Sequence, residues 1–266
     1  KPSSAASDVY KRQQGTRFWP ASRRANPKQF LEIVGQKTMI QETVARLLPE
    51  IKISDIFIVC SEEYVDKVRV QLPEFSKEQV IVEPLARSTA ACIGLVAQYL
   101  KDFYGDSVCA FLPADHAIGK RVSFHDALQA GRSLADEGWL VTFGMLPKSP
   151  ATGYGYIKRG KLLEKIGNLD SFRVDSFIEK PTLDRAKNFM GDNRYLWNSG
   201  IFLWKASKIL EEIDQSLPQL GTALRTVASN WDDLVSAREA FRVLDSVSID
   251  YGVLEKSSRV TTIPCD

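Results

Sequence analysis

The chain has 266 residues, of which 44% are hydrophobic, so it can build one large α/β domain or two small ones and is not a disordered protein. Its 35 basic and 33 acidic residues leave a formal net charge of +2, which argues against binding nucleic acid or an anionic membrane through overall charge. No apolar run reaches the roughly 18 residues of a membrane span, and the N-terminus lacks the apolar core of a signal peptide. We therefore expect a cytoplasmic protein.

The cysteines do not follow the spacing of a metal site. Cys60, Cys92 and Cys109 lie in apolar segments, and Cys265 stands near the end of the chain. Free cysteine is commonly buried in cytosolic proteins, where disulfides are rare. The pattern favours buried free thiols over disulfides or metal ligands.

The first fourteen residues differ in character from the rest of the chain. They are polar and unpatterned, although a phosphate-binding loop of the kind that follows is normally preceded by a buried apolar strand. The stretch 8–13 is also similar to a translated sequencing-adapter scar. We expect residues 1–14 to be a non-native or disordered leader and residues 15–266 to form the domain.

A basic loop follows between residues 15 and 31. Gly15 and Thr16 offer bare backbone N–H groups and a small hydroxyl donor, while Arg17 and Lys28 supply positive charge. These groups suit a polyphosphate. On composition alone the same residues are equally typical of a solvated basic loop.

Helix and strand patterns then alternate, which is typical of a doubly wound α/β sheet. In chain order, the sequence predicts a helix over 39–48, a strand over 55–60, a helix over 62–70 and a strand over 80–82. A helix over 88–100, a strand over 107–112, a helix around 124–134 and a strand over 139–143 complete the pattern. No repeat or low-complexity linker divides the chain.

Two connections in this pattern carry candidate site residues. Glu83, Arg87 and Ser88 lie between a strand and a helix whose first turn offers free N–H groups, although ordinary helix capping explains them equally well. Asp115 follows the most central predicted strand, where ligands bind in open α/β sheets. It suits Mg²⁺, which needs one or two carboxylates plus substrate phosphates, but it also suits a turn cap. The neighbouring His116 is predicted not to be a metal ligand but to be structural or to support Asp115.

The second half of the chain carries residues that suit a sugar phosphate. Gly153 permits close approach of the backbone, and Glu179 can accept hydrogen bonds from vicinal hydroxyls. Lys180 can reach a phosphate, and Asn198 can both donate and accept. Each signal is commonplace alone. Asp250 is as compatible with organising the structure as with touching a ligand.

Taken together, these segments resemble the sugar-phosphate nucleotidyltransferase family. The resemblance rests on Gly15-Thr16-Arg17-Phe18-Trp19-Pro20, Glu83-Pro84-Leu85-Ala86-Arg87-Ser88, Leu112-Pro113-Ala114-Asp115, Phe177-Ile178-Glu179-Lys180-Pro181 and Trp197-Asn198-Ser199-Gly200. It extends over residues 15–266 with the motifs in family order, and Pro27-Lys28-Gln29-Phe30-Leu31 is most similar to the mannose-1-phosphate guanylyltransferase branch. The resemblance implies a Rossmann-like, three-layer α/β/α domain with a mostly parallel mixed sheet.

The resemblance also implies an activity and assigns its residues. It implies synthesis of GDP-mannose and diphosphate from GTP and mannose 1-phosphate, with Mg²⁺ as cofactor. It places Gly15, Thr16, Glu83, Arg87 and Ser88 against the nucleotide and Asp115 on the metal. It gives catalytic roles to Arg17, Lys28 and Lys180, and it places the sugar phosphate against Gly153, Glu179, Lys180 and Asn198.

Two departures from the family keep alternatives open. Gln13 and Gln14 stand where the family usually has further glycines, and the chain stops at Asp266, before the family's second metal-binding carboxylate and its β-rich extension. We therefore expect a fragment truncated at both ends and inactive or nearly so. A related enzyme using UTP, dTTP or ATP, or an inactive sugar-nucleotide-binding regulatory subunit, remains an alternative. The oligomeric state is left open, with a homodimer as the assembly considered.

Overall fold

The computed structural model describes residues 27–33 and 35–265. Its α-helices are α1 (Met39–Leu47), α2 (Val65–Gln71), α3 (Ser88–Tyr104), α4 (Arg121–Asp136), α5 (Leu183–Met190), α6 (Ala206–Ser216), α7 (Pro218–Ser229) and α8 (Leu234–Arg242). Its strands are β1 (Ile58–Ser61), β2 (Val80–Glu83), β3 (Val108–Phe111), β4 (Leu140–Met145), β5 (Tyr156–Ile166), β6 (Leu169–Ile178), β7 (Tyr195–Lys205) and β8 (Val260–Cys265). A π-helical turn, Asp250–Leu254, precedes β8.

The described strands form a two-stranded and a six-stranded sheet. Strands β1 and β2 are parallel, and the larger sheet has the order β3-β7-β4-β8-β6-β5 with a further β5–β7 pairing. Within it β4 and β8 are parallel, whereas β7 runs antiparallel to β3, β4 and β5. Strand β6 runs antiparallel to β5 and β8. The expected mixed α/β sheet is confirmed, and its antiparallel pairs come from β7 and the β5–β6 hairpin.

Helices cover both faces of this sheet. Along β7, Phe202 and Trp204 belong to one hydrophobic cluster with α3, α6, α7 and α8, while Ile201 and Leu203 belong to a second cluster with α1, α2 and α4. Alternate residues of a strand point to opposite faces, so the two clusters lie on the two sides of the sheet. The arrangement is the predicted α/β/α sandwich of three layers.

Local signals in the sequence explain where several helices begin and end. The helix predicted over 39–48 is α1, and a capping box between Thr38 and Gln41 satisfies its first backbone N–H groups. The helix predicted over 88–100 is α3, which continues to Tyr104 and ends at Gly105 with a φ of 84°. The strand predicted over 107–112 ends at Phe111, and Asp115 lies in a turn rather than on extended backbone.

The described residues also bear on two expectations from composition. No helix among them is both long enough and apolar enough to cross a bilayer. The four cysteines, all within the described part of the chain, are free thiols, and burial raises the pKa of Cys60 to about 11 and that of Cys109 to about 12.

Candidate active site

Lys28 and Asp115, 87 residues apart in sequence, form an ion pair. Lys28 begins a 3₁₀ turn before α1, and its Nζ lies 3.0 Å from Oδ2 of Asp115. The Asp115 turn is anchored to α1 because Nη2 of Arg46 donates to the carbonyl of His116, 2.9 Å away. Burial lowers the pKa of the His116 imidazole, which is the behaviour of a packed structural histidine. The structure therefore joins the predicted phosphate-binding lysine to the predicted metal-binding aspartate.

The potential metal ligands near Asp115 determine what kind of metal site it can form. Among residues 27–33 and 35–265, no group of three or more His, Cys, Asp or Glu side chains is placed to hold a metal ion. An all-protein cage is thus not formed by this part of the chain. Asp115 is partly exposed and presents its carboxylate to solvent and to Lys28, which fits Mg²⁺ held by one carboxylate together with substrate phosphates.

The segment from Glu83 to Ser88 turns sharply between β2 and α3. Ser88 has a φ of 70°, in the left-handed region that side chains other than glycine rarely adopt. The backbone N–H of Arg87 donates to the Glu83 carboxylate, but burial raises the pKa of this carboxyl to about 7. Its Oε1 is buried and has no hydrogen-bond partner among the described residues. A buried carboxylate oxygen without a partner can accept a hydrogen bond from a ligand.

The Arg87 side chain points to the end of α8. Its Nε donates to the carbonyl of Phe241, 2.8 Å away, and its Nη2 donates to the carbonyl of Arg242. These are carbonyls of the last turn of α8, which have no partner within the helix, so the guanidinium caps that helix. The structure thus shows a capping contact for a residue that the sequence assigns to the nucleotide.

The same segment is tied to the chain before the π-helical turn. The backbone N–H of Ala90 donates to the carbonyl of Val247 over 3.2 Å. The backbone N–H of Ile249 donates to Oγ1 of Thr89 over 2.9 Å. Ile249 itself is fully buried. The first turn of α3 and residues 247–249 therefore hold each other in place.

On the other side of the site, Gly155, Glu179 and Asn198 converge. The backbone N–H of Asn198 donates to the carbonyl of Gly155 over 2.8 Å. A Cβ added to Gly155 would lie 2.7 Å from Oε2 of Glu179, so the carboxylate rests directly against this glycine. Nζ of Lys180 lies 3.8 Å from Oε1 of Glu179, and the backbone of Lys180 has a φ of 46°. Gly153 stands in the bend that leads to β5.

The Asn198 side chain is fixed by three neighbours. Its Oδ1 accepts from the Thr142 hydroxyl over 3.0 Å and from the backbone N–H of Gly200 over 3.1 Å. Its Nδ2 donates to Oδ1 of Asp250. An amide oxygen has two acceptor positions and an amide nitrogen two hydrogens, so one hydrogen on Nδ2 is left for a ligand.

Asp250 carries the most perturbed carboxyl on this side. The residue is half-buried, but its carboxyl lies deep enough that burial, reinforced by the charge of Glu179, raises its pKa to about 6. The hydrogen bond from Asn198 opposes this shift. Two carboxylates are thus brought near one amide, and the charge of Glu179 disfavours the ionised form of Asp250.

Strands β3 and β7 bring the two groups of residues together. The antiparallel register places Phe111 opposite Phe202, so the chain beyond the end of β3 passes along the start of β7. Gly200, with a φ of 72°, lies beside Pro113, whose Cγ would be 3.7 Å from an added Cβ. The turn that carries Asp115 is therefore next to the bend that follows Asn198.

Comparison with known proteins decides the family. The family model described as nucleotidyl transferase matches residues 14–241 of the chain. This chain belongs to the nucleotidyl transferase family. The match covers the strands and turns that carry Lys28, Glu83, Asp115, Glu179 and Asn198.

Two curated relatives of this nucleotidyl transferase chain carry a specific name. It is 38% identical over 258 residues to the mannose-1-phosphate guanylyltransferase of Klebsiella pneumoniae, covering 95% of this chain and 54% of that protein. It is 37% identical over 260 residues to the mannose-1-phosphate guanylyltransferase of Escherichia coli K12, again covering 95% of this chain and 54% of that protein. The chain spans about half the length of the curated relatives it matches.

Solved structures show the same nucleotidyl transferase fold. A crystal structure described as mannose-1-phosphate geranyltransferase from Thermus thermophilus matches with a TM-score of 0.83 and 30% identity, covering 94% of this chain and 71% of that one. A crystal structure described as mannose-6-phosphate isomerase from Helicobacter pylori matches with a TM-score of 0.75 and 24% identity, covering 91% and 93%. The second likeness bears on the fold alone.

The structure and the sequence-based site overlap only in part. Gly15, Thr16 and Arg17, together with the leader 1–14, lie outside the described residues. The remaining predicted residues fall into three groups, which are Lys28 with Asp115, the segment from Glu83 to Ser88, and Gly153, Glu179 and Lys180 with Asn198. The third group lies beside the Asp115 turn, and residues 247–250 link it to the second. The sequence pattern indicates Gly153, whereas the structure places the neighbouring Gly155, in the same Thr-Gly-Tyr-Gly segment, against Glu179. Thr142 was not predicted, because its contact with Asn198 depends on a strand pairing that no local pattern reveals.

Proposed function

We propose that this nucleotidyl transferase joins GTP and mannose 1-phosphate to give GDP-mannose and diphosphate. The names of the curated relatives support this choice of nucleotide and sugar. The observation that carries the proposal is that the Asp115 turn and the Asn198 bend are neighbours where β3 and β7 pair. One side offers a lysine and a carboxylate for phosphates and metal, and the other offers an amide and a carboxylate for hydroxyls.

Backbone strain supports the same location. The non-glycine residues with positive φ among residues 27–33 and 35–265 are Ser88 and Lys180, and both were predicted from the sequence to be site residues. Such conformations cost on the order of 1–3 kcal/mol and collect at ligand sites, where the surrounding structure holds them. One strained residue lies on the nucleotide side and the other on the sugar side, as expected for a site that binds two substrates.

On the nucleotide side, positive charge and backbone donors bind the triphosphate. Gly15, Thr16 and Arg17 hold the phosphates and the departing diphosphate in this proposal, which for these residues rests on sequence. Lys28 adds a mobile charge beside Asp115. When phosphates enter, Lys28 can transfer its contact from the Asp115 carboxylate to a phosphate oxygen.

Asp115 would hold Mg²⁺ together with the phosphates of GTP. Bound there, the ion would neutralise the negative charge that develops on the leaving diphosphate. The ion pair with Lys28 fixes the position of the carboxylate in its turn before the metal is bound.

The base would bind at the start of α3. Oε1 of Glu83 can accept from the N1–H and amino group of guanine, which together present two donors. Ser88, at the helix N-terminus, supplies a hydroxyl and a backbone N–H. Arg87 acts in this proposal by holding the segment against α8, and it reaches the base only by leaving those carbonyls.

Mannose 1-phosphate would bind between Gly153, Glu179, Lys180 and Asn198. Glu179 accepts from vicinal hydroxyls, and the remaining amide hydrogen of Asn198 donates to the sugar. Lys180 orients the sugar phosphate.

The reaction is one in-line displacement. An oxygen of the sugar phosphate attacks the α-phosphorus of GTP, and the bond from that phosphorus to the oxygen bridging to the β-phosphate breaks. The bond electrons leave with the diphosphate, and no covalent enzyme intermediate forms. The side chains contribute by positioning two anionic substrates and by neutralising their charge.

Diphosphate release and nucleotide-sugar formation test this proposal. We expect the full-length protein with GTP, mannose 1-phosphate and Mg²⁺ to release diphosphate and GDP-mannose in equal amounts, and to do so faster than with UTP, dTTP or ATP. Preference for another nucleotide would contradict the guanylyltransferase assignment. Binding without turnover would favour the regulatory subunit.

Asp115→Asn tests the metal-binding role within the same assay. It should lower kcat on the order of 100-fold, because a neutral amide neither holds Mg²⁺ well nor pairs with Lys28. Asp126→Asn is the matched control, since Asp126 is an exposed carboxylate on α4. Equal activity of the two variants would exclude Asp115 from the reaction.

A further inference from the structure

Residues 247–250 connect the two sides of the site. Residues 247 and 249 are hydrogen-bonded to the first turn of α3, through Ala90 and Thr89 respectively. The next residue, Asp250, accepts from Nδ2 of Asn198 on β7. One short segment thus touches the proposed nucleotide loop with its backbone and the proposed sugar-binding amide with a carboxylate.

The orientation of the Asn198 amide follows from its partners. The backbone N–H of Gly200 can only donate, so the atom 3.1 Å from it must be the amide oxygen. The amide nitrogen must then face Asp250, which accepts. Asp250 is therefore the group that holds the nitrogen end of the amide and aims its second hydrogen.

Packing alone does not explain a carboxylate at position 250. The carboxyl is withdrawn from water and faces the negative charges of Glu179, at the end of β6, and Glu255, at the end of its own turn. A buried carboxylate is costly unless its hydrogen bonds compensate, and a smaller polar or apolar residue would avoid the repulsion. Its direct side-chain partner is Asn198, so its position serves that amide.

We propose that Asp250 is a positioning residue that fixes the Asn198 amide for the sugar phosphate and ties it to the loop that binds the nucleotide. This inference rests on the proposed function for the identity of the two substrates. Asp250 makes no contact with the reacting atoms in this account. It acts through Asn198 on one side and through its covalent neighbour Ile249, held by Thr89, on the other.

A double-mutant cycle of Asp250→Ala and Asn198→Ala tests the proposal. We expect Asp250→Ala to raise the KM for mannose 1-phosphate about tenfold and to change the KM for GTP by less than threefold. Because Asp250 acts through Asn198, the double variant should be no worse than Asn198→Ala alone. Additive effects would overturn the proposal, since they would mean that Asp250 acts independently.

Conservative and control variants separate positioning from folding. Asp250→Asn keeps an acceptor for the amide, so its KM for mannose 1-phosphate should remain within about threefold of the unchanged protein. Glu255→Ala, which removes an exposed carboxylate from the same turn, should leave both KM values unchanged. Should Asp250→Ala fail to fold, Asp250→Ser replaces it in the cycle, because serine is too short to reach the amide. An unchanged mannose 1-phosphate KM in the folded variant would overturn the proposal.

The failure of the proposed function would be recognised separately. If the protein uses another nucleotide or sugar phosphate, the guanylyltransferase assignment is wrong. The double-mutant cycle is then measured with the sugar phosphate that the protein does use. If it makes no nucleotide sugar, the side-chain amide ¹⁵N–¹H signal of Asn198 decides. We expect this signal to shift in Asp250→Ala, which removes the acceptor of the amide, and to keep its position in Glu255→Ala. A signal that is the same in Asp250→Ala and in the unchanged protein would overturn the contact on which the inference depends.

Discussion

On the sugar side of the site, all but one hydrogen-bonding position of the Asn198 amide is taken by β4, β7 and Asp250. On the nucleotide side, Glu83 keeps a buried carboxylate oxygen with no partner in the described part of the chain. The first group is built on paired strands, which fix side chains before a ligand arrives. The second is built on the loop before α3, where the unpartnered oxygen of Glu83 can bind a ligand but lowers the stability of the free protein. In terms of the proposed function, this difference corresponds to a preformed sugar subsite and a nucleotide subsite that ligand binding completes.

Glu83→Gln is the strongest test of the nucleotide side, because it removes the charge that the fold does not compensate. The folded pKa of this carboxyl is raised from 4.5 to about 7, so the folded state binds the proton more tightly than the unfolded state. The resulting stabilisation is fully present below the unfolded pKa and is lost as pH rises through the folded pKa. Relative to Glu83→Gln, the unchanged protein should therefore lose about 2–3 kcal/mol of unfolding free energy between pH 5 and pH 8.

Urea denaturation of both proteins at the two pH values measures this difference. Glu74→Gln is the matched control for the loss of one carboxylate, because Glu74 is exposed. A difference for Glu83→Gln that stays constant from pH 5 to pH 8 would mean that the carboxyl is well solvated. The two sides of the site would then not differ as described.

Gly155→Ala sharpens the comparison from the sugar side. The added Cβ would come within 2.7 Å of Oε2 of Glu179, and this flexible carboxylate would be displaced. We expect the KM for mannose 1-phosphate to rise about tenfold, equivalent to about 1.4 kcal/mol, with the KM for GTP within twofold. Gly191→Ala serves as the control, since its added Cβ would meet only a carbonyl at 3.9 Å. A larger effect on GTP than on mannose 1-phosphate would show that Glu179 belongs to the other subsite.

The sequence predicts the parts of this molecule that depend on neighbouring residues. Helix α1 follows the predicted range because its cap and apolar period are local. Asp115 was predicted because it follows an apolar strand that the sequence indicates as central, although β3 lies at one end of the six-stranded sheet formed by the described residues. The contacts that organise the site are not local. Asn198 meets Thr142 56 residues away, and Arg87 meets Phe241 154 residues away. Those contacts depend on strand register and helix packing, which cannot be predicted from the type of any single residue.

The sequence assigns Arg87 to the nucleotide, whereas the structure shows its side chain on the carbonyls of α8. Among the replacements at Glu83, Gly155 and Arg87, that of Arg87 should have the smallest effect. The guanidinium donates to two carbonyls in the last turn of α8, so Arg87→Ala should lower the free energy of unfolding by about 1 kcal/mol. Because those contacts hold the loop before α3, the KM for GTP should rise about threefold and that for mannose 1-phosphate should not change.

The choice of replacement separates capping of α8 from contact with the base. Arg87→Lys keeps one donor for the α8 carbonyls, so it should recover about half of the lost stability and most of the GTP affinity. Arg132→Ala, at an exposed position on α4, is the control for loss of one positive charge. Denaturation is then repeated with saturating GTP. If Arg87 stays on α8, the loss of stability is the same with and without nucleotide, and we expect this result. A loss that grows when GTP is bound would mean that the guanidinium leaves α8 for the base, and the nucleotide side would then rearrange around Arg87 itself.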